Sequence, residues 1–169
     1  AEHDEQKSVR PVAQHGFEEG YLESANITWA DTARGQGPVG RTIRTGAPVI
    51  AQRIRSDPAM APWLADALRR GYGSLISLPL KTGDETVLGI IAVYAAEEDV
   101  FSADEIQILS EAAADLCFGI ASLRVRAERE RLHHVLQKTE DWLRAATQGS
   151  LDFLLMMRPV YDESGAVSD

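Results

Sequence analysis

"GYGSLISLPL", residues 71–80, passes from a glycine-bracketed turn into an apolar stretch carrying two serines, and "VLGIIAVYAA", residues 87–96, follows it closely. The intervening "KTGDET" supplies Gly83 and Asp84 for a turn, so the pair predicts an antiparallel hairpin. The second run is apolar on both faces, which predicts a central strand covered from two sides. The first is interrupted by Ser74 and Ser77, which predicts that one of its faces meets a polar environment.

Upstream, "SDPAMAPWLADALRRG", residues 56–71, predicts a helix capped by Ser56 or Asp57, with Pro58 at its first position and Gly71 beyond its end. Trp63, Leu64, Ala67 and Leu68 form its apolar stripe. "APVIAQRI", residues 47–54, reads as a strand. Before it, "GQGPVGRTIRTG", residues 35–46, predicts a helix of about two turns that starts at Pro38 and closes on a left-handed Gly46. The weak alternation of "SVRPVAQHG", residues 8–16, fits an edge strand, where Pro11 does least harm. "NITWA", residues 26–30, offers Ile27 and Trp29 for burial.

Downstream, Ser102 and Glu105 make a capping box, with Phe101 placed to staple onto Ile106. The helix they open runs to about residue 150, and at about 1.5 Å per residue it projects past a small domain. Ile106, Leu109, Ala113, Leu116, Ile120 and Leu123 repeat at alternating three and four, the pattern of a coiled-coil seam, and Leu132, Val135 and Trp142 continue it slightly out of phase. "DFLLMMRPVYDESGAVSD", residues 152–169, reads as one strand, a turn and a second strand cut short. The chain begins at Ala1 without a methionine and stops on that strand-like pattern, so it is read as a fragment of a longer protein.

The 169 residues, 44% hydrophobic, suffice for one packed domain with an appendage. A formal charge of -9 argues against a nucleic-acid partner, which needs a basic surface. A single cysteine, Cys117, excludes an internal disulfide, a paired-thiol redox centre and a cysteine-based zinc cage. The eye finds no apolar run approaching the roughly 20 residues of a membrane span and no signal peptide, so a cytoplasmic location is expected.

The order short helix, strand, helix, hairpin and long exit helix, with "GPVGRTIRTGAPV", the Asp57-Pro58 helix start, "GYGSLISLPL", "VLGIIAVY", "FSADEIQIL" and "AAADLCFGIA", resembles a GAF domain, a regulatory sensor module of bacterial signalling proteins. The resemblance implies an α+β fold: a central antiparallel sheet of five or six strands, helices on both faces, and a long C-terminal coiled-coil helix. It implies a sensor domain over residues 1–123, a signalling helix over 124–150 and the start of a PAS-like domain over 151–169. The parent would be a sensor histidine kinase or a cyclic-di-GMP enzyme, and the segment itself non-catalytic. In such a fold "GIIAVY" anchors the sheet centre and "SLISLPL" floors a small-molecule pocket, with either Ser74, Ile76 and Leu78 or Leu75 and Ser77 turned toward it.

The candidate pocket residues are Arg53, Arg55, Trp63, Tyr72, Ser74, Ile76 and Ser77, the aromatic and cationic members suited to a flat anionic ligand. The seam candidates are Ile106, Leu109, Ala113, Leu116, Ile120, Leu123, Leu132 and Val135, which imply a homodimer. No cofactor is identified, and no metal site is expected. Gly35, Gly37 and Gly40 match GxGxxG, but "WADTAR" before them is not the strand that a dinucleotide site requires. His133 and His134 are adjacent and so diverge by about 100° on a helix, too far to chelate one metal. Cys117 falls on the apolar side of its helix, as a buried inert thiol would.

Overall fold

The computed structural model describes residues 4–16 and 25–148. A 3-10 turn over Ala33–Gln36 leads into α1 (Pro38–Thr45), β1 (Val49–Ala51), a second 3-10 turn (Pro58–Trp63), α2 (Leu64–Arg69), β2 (Ser74–Lys81), β3 (Val87–Ala95) and α3 (Ala103–Gln148). Contacts divide the chain after Leu123. The first unit holds the sheet, α1, α2 and the start of α3; the described part of the second is the remainder of α3.

The local rules act as anticipated in most places. Pro38 sits at the start of α1, and Gly46 at φ 62° returns its N–H to the Thr42 carbonyl. Asp57 caps the second 3-10 turn, its Oδ1 accepting from the Ala59 amide at 2.9 Å. That segment is 3-10 rather than α up to Trp63 because Pro62 lies inside it, lacks an amide hydrogen and disfavours α geometry in the residue before it. Ser102 and Glu105 form the reciprocal box: the Ser102 amide donates to Glu105 Oε2 at 2.8 Å, and the Glu105 amide donates to Ser102 Oγ at 3.3 Å.

The sheet is antiparallel in the order β1-β2-β3, with Ala51 opposite Leu75 and Leu75 opposite Tyr94. Among the described residues it has three strands, not five or six. The N-terminal segment contributes only an isolated bridge between Ser8 and Thr28, flanked by hydrogen bonds from Val9 N to Ile27 O and from Trp29 N to Lys7 O. In the hairpin loop the left-handed conformation falls on Glu85, not Gly83. Asp84 holds the loop by accepting from the Thr82 hydroxyl and the Thr86 amide.

The two hairpin strands exchange the roles expected of them. β2, with its serines, is the central strand and is buried almost throughout, whereas β3 lies at an edge of the three-stranded sheet and is half-buried along its length. Ser74 and Ser77 are both 0% exposed. Ser74 is accommodated because its hydroxyl donates to the Glu97 carbonyl at 2.8 Å, so its polarity signalled a hydrogen bond and not a wet face.

Strand alternation then sorts two cores. Leu75 joins Ala25, Ala51, Ile54, Met60, Trp63 and Ala67 under the lid formed by the second 3-10 turn and α2. Ile76, Leu78 and Leu80 face the other way, against Phe101, Ala113 and Cys117, with Ile106, Leu109 and Ile120 of α3 packed around them. α3 is also the helix among the described residues that is long and apolar enough, by length and composition, to cross a membrane; its most apolar 18-residue window has a mean hydropathy of 1.4. Glu111 and Asp115 break up this apolarity to the eye while leaving the average high. One side of the same stretch packs on the sheet, but only 11% of the window is buried, so packing on the sheet does not by itself account for its apolarity.

Candidate functional site

The site is organised by Trp63 at the end of the second 3-10 turn. The residue is 6% exposed, and its ring lies so close to Gly37 that a Cβ there would stand 2.5 Å from the indole Cζ3. The glycine of "GQGPVG" thus serves to admit an aromatic ring, not a phosphate. Trp63 Nε1 donates to the Ala25 carbonyl at 2.8 Å, and Arg34 Nη1 donates to the same oxygen at 2.7 Å. A cavity of about 20 Å³ remains between Trp63 and Ile27, Arg34, Val39, Met60, Leu75 and Tyr94. That is room for one water molecule.

Of the pocket candidates, the structure brings Trp63 to this cavity and disperses the others. Tyr72 stacks on Tyr94, ring centroids 4.6 Å apart and tilted by 30°, behind the cavity wall. Ser74 and Ile76 are on the face that looks toward α3. Ser77 is on the lid side of β2, beside α1, where Thr42 Oγ1 donates to its carbonyl at 3.2 Å; its own hydroxyl is buried with no hydrogen-bond partner. Arg55 is exposed.

Arg53 is a connector, not a pocket residue. Its Nε and Nη2 both reach Asp99 Oδ2 at 2.6 Å, with Glu98 at 4.0 Å, and its hydrogen bond to Asp99 raises its pKa above the usual arginine value. Beside it, Gln52 is bonded to the backbone of Phe101, and the Asp99 amide donates to the Gln52 carbonyl at 3.0 Å. The segment leaving β1 for the lid is therefore tied directly to the residues that start α3.

The sequence reading missed two arginines. Arg34 lines the cavity, and Arg44 Nη1 donates to the carbonyls of Trp29, Ala30 and Gly35 at 3.0, 3.3 and 2.7 Å, holding the segment before α1 in place. Their signal was the spacing of cations through "ARGQGPVGRTIR", a run otherwise lacking charge.

The seam candidates also separate. Ile106, Leu109, Ala113 and Ile120 pack on the domain's own sheet, so these four positions are corrected from dimer seam to core. Leu116, Leu123, Leu132 and Val135 are exposed, as are Phe118, Val125, Leu136, Trp142 and Leu143. Among the described residues no group of three or more His, Cys, Asp or Glu is placed to hold a metal ion.

No curated protein matches the chain. Among solved structures it is similar to a domain of a putative two-component sensor histidine kinase from Sinorhizobium meliloti 1021, at 18% identity and TM-score 0.45, covering 49% of this chain and 57% of that one. It is also similar to a far-red cyanobacteriochrome photoreceptor, at 19% identity and TM-score 0.41, covering 49% of this chain and 54% of that one. A third similar structure is the A. aeolicus nlh2 GAF domain in an inactive state, at 20% identity and TM-score 0.39, covering 53% and 56%. The chain thus spans little more than half the length of these structures. The family model for the GAF domain matches residues 1–121, and with the lid, the antiparallel sheet and the long exit helix in view, this chain belongs to the GAF domain family and is a sensory, non-catalytic module.

Proposed function

We propose that this chain is the sensory segment of a bacterial signal-transduction protein, in the first instance a two-component sensor histidine kinase in the cytoplasm. A small molecule beneath the lid changes how the lid holds the start of α3, and a homodimer carries the change onward. The observation that carries this reading is the tie from Gln52 and Arg53 to Phe101 and Asp99, which gives lid movement a direct mechanical route to the helix. In this reading residues 1–123 are the sensor, 124–150 the signalling helix and 151–169 the opening of a PAS-like domain, which lies outside the described residues. A cyclic-di-GMP enzyme is the other candidate parent.

The proposed occupant of the exposed face of α3 is a second, parallel copy. Phe118, Val125 and Leu132 recur every seven residues, and Leu136 and Leu143 keep the same interval beside them. Phe118 is 76% exposed and Val125 70%, apolar area that a partner helix would remove from water. This stripe replaces the sheet-facing positions in the seam.

Sedimentation with thermal melting against a metabolite library tests the reading. A dimer whose melting temperature rises with one ligand class, and which Leu132→Glu with Leu136→Glu converts to a monomer, is expected. A wild-type protomer that stays single at high concentration removes the relay. A persistent dimer that no ligand stabilises favours a second reading, a structural dimerisation module, for which the small size of the cavity beside Trp63 speaks. A third, an enzyme like the free methionine sulfoxide reductases, is disfavoured because those rely on several cysteines and the lone Cys117 is buried.

A further inference from the structure

We infer that the Ala25 carbonyl occupies a seat for the carboxylate of a small acid with an apolar or aromatic body. The inference rests on the pocket reading above and specifies the ligand's chemistry.

Two donors from separate segments, Arg34 Nη1 and Trp63 Nε1, converge on one oxygen at 2.7 and 2.8 Å, and one of them is a guanidinium. A charged donor gains more from a carboxylate than from a neutral amide oxygen, because charge-assisted hydrogen bonds are shorter and stronger. Arginine also presents five N–H donors in a rigid fork, of which one is engaged here, so the second oxygen of a carboxylate finds donors already in plane. Ala25 is 2% exposed and its bond from Trp63 is buried, while Arg34 reaches the same oxygen from an exposed position, so the seat has one enclosed side and one side open to water.

The surroundings set the rest of the ligand. Val39, Met60 and Leu75 are apolar, and the Tyr94 ring closes one side. A body made of methyl groups or one ring matches them, and a second charge does not. A cavity of about 20 Å³ does not admit such a molecule as it stands. Entry requires the ligand's oxygen to take the carbonyl's place and the Trp63 ring to move off Gly37. Both displaced groups belong to the lid side, where a single side-chain pair, not a strand ladder, holds the carbonyl. Binding an acid would thereby release Ala25 and shift the lid in one step.

The test uses the full chain with benzoate as the acid and benzamide and benzyl alcohol as neutral counterparts of similar size, read by melting temperature and tryptophan emission. Benzoate is expected to bind at least tenfold more tightly than either neutral probe. Arg34→Gln is expected to lower benzoate to the neutral level, and Trp63→Phe, which keeps a ring but removes the donor, to weaken it as well. Far-ultraviolet circular dichroism of both variants establishes that they fold. Equal binding of benzoate and benzamide, or benzoate binding unchanged by Arg34→Gln and Trp63→Phe, overturns the acid assignment while leaving the pocket reading in place. Binding of none of the three probes overturns the acid assignment too, and the wider library then decides whether the pocket reading falls with it.

Discussion

The side-chain amide of Gln52 holds the backbone of Phe101 from both sides, donating from Nε2 to its carbonyl at 2.6 Å and accepting from its amide at 3.3 Å. Both residues are only partly accessible to water, so removing the amide orphans two backbone groups at once. Gln52→Ala is expected to lower stability by about 1–3 kcal/mol, read as a fall in the urea midpoint at unchanged slope. Gln52→Glu sets a carboxylate oxygen against the Phe101 carbonyl in place of the donor, and should lose at least as much as Gln52→Ala at pH 7.

Arg53→Ala is expected to behave differently although it lies next door. Its pair with Asp99 is exposed on both sides, so the loss should be small at low salt and should vanish toward 1 M salt as screening removes what the pair contributes. A large, salt-independent loss would mean that Arg53 is packing the loop, not pairing.

Gly37→Ala drives a methyl into the Trp63 ring. Overpacking of this kind costs about 1–3 kcal/mol. Combined with Trp63→Leu, which clears the ring, the penalty should shrink, and a double-mutant cycle in denaturant measures the coupling. Additive losses would show that the glycine serves the backbone alone.

Ser77 carries a buried hydroxyl with no partner, on the lid side of the central strand. Ser77→Ala deletes the desolvated group at nearly constant shape and leaves the carbonyl that Thr42 uses. A gain of about 1 kcal/mol in unfolding free energy is expected. A loss of that size would show the hydroxyl to be engaged.

The Glu105 carboxylate is held below the ordinary glutamate value by the Ser102 hydroxyl and amide. A depressed folded pKa contributes stability that is complete above the unfolded value, about 4.3, and is lost as pH falls through the lower folded value. Glu105→Gln should therefore lower stability at pH 7 and leave it nearly unchanged below the folded value, which flattens the acid limb of a stability-pH curve. An unchanged acid limb would remove this carboxylate from the linkage.

How much of this was legible in the chain depended on whether a feature was local. Pro38, Gly46, Asp57 and the Ser102-Glu105 box each act within a few residues, and each was readable. The inversion of β2 and β3 was not, because Ser74 finds its acceptor in Glu97, beyond the far end of the next strand. Ile106 and Leu116 both fall on the seam in a heptad count, and only the sheet's occupation of one side of α3 separates them. The cavity eluded the reading for the same reason: Arg34 and Trp63 meet through Ala25, and no short motif spans those distances.

Cys117 is the sole thiol in 169 residues and is 1% exposed between α3 and the sheet. A thiol so enclosed is slow toward alkylating reagents. One cysteine introduced at an exposed position outside the proposed stripe, such as Ala127, would therefore take a maleimide dye or spin label selectively, with the native residue left in place. Distances between labelled copies could then be followed by electron-electron resonance or energy transfer without first engineering a cysteine-free background.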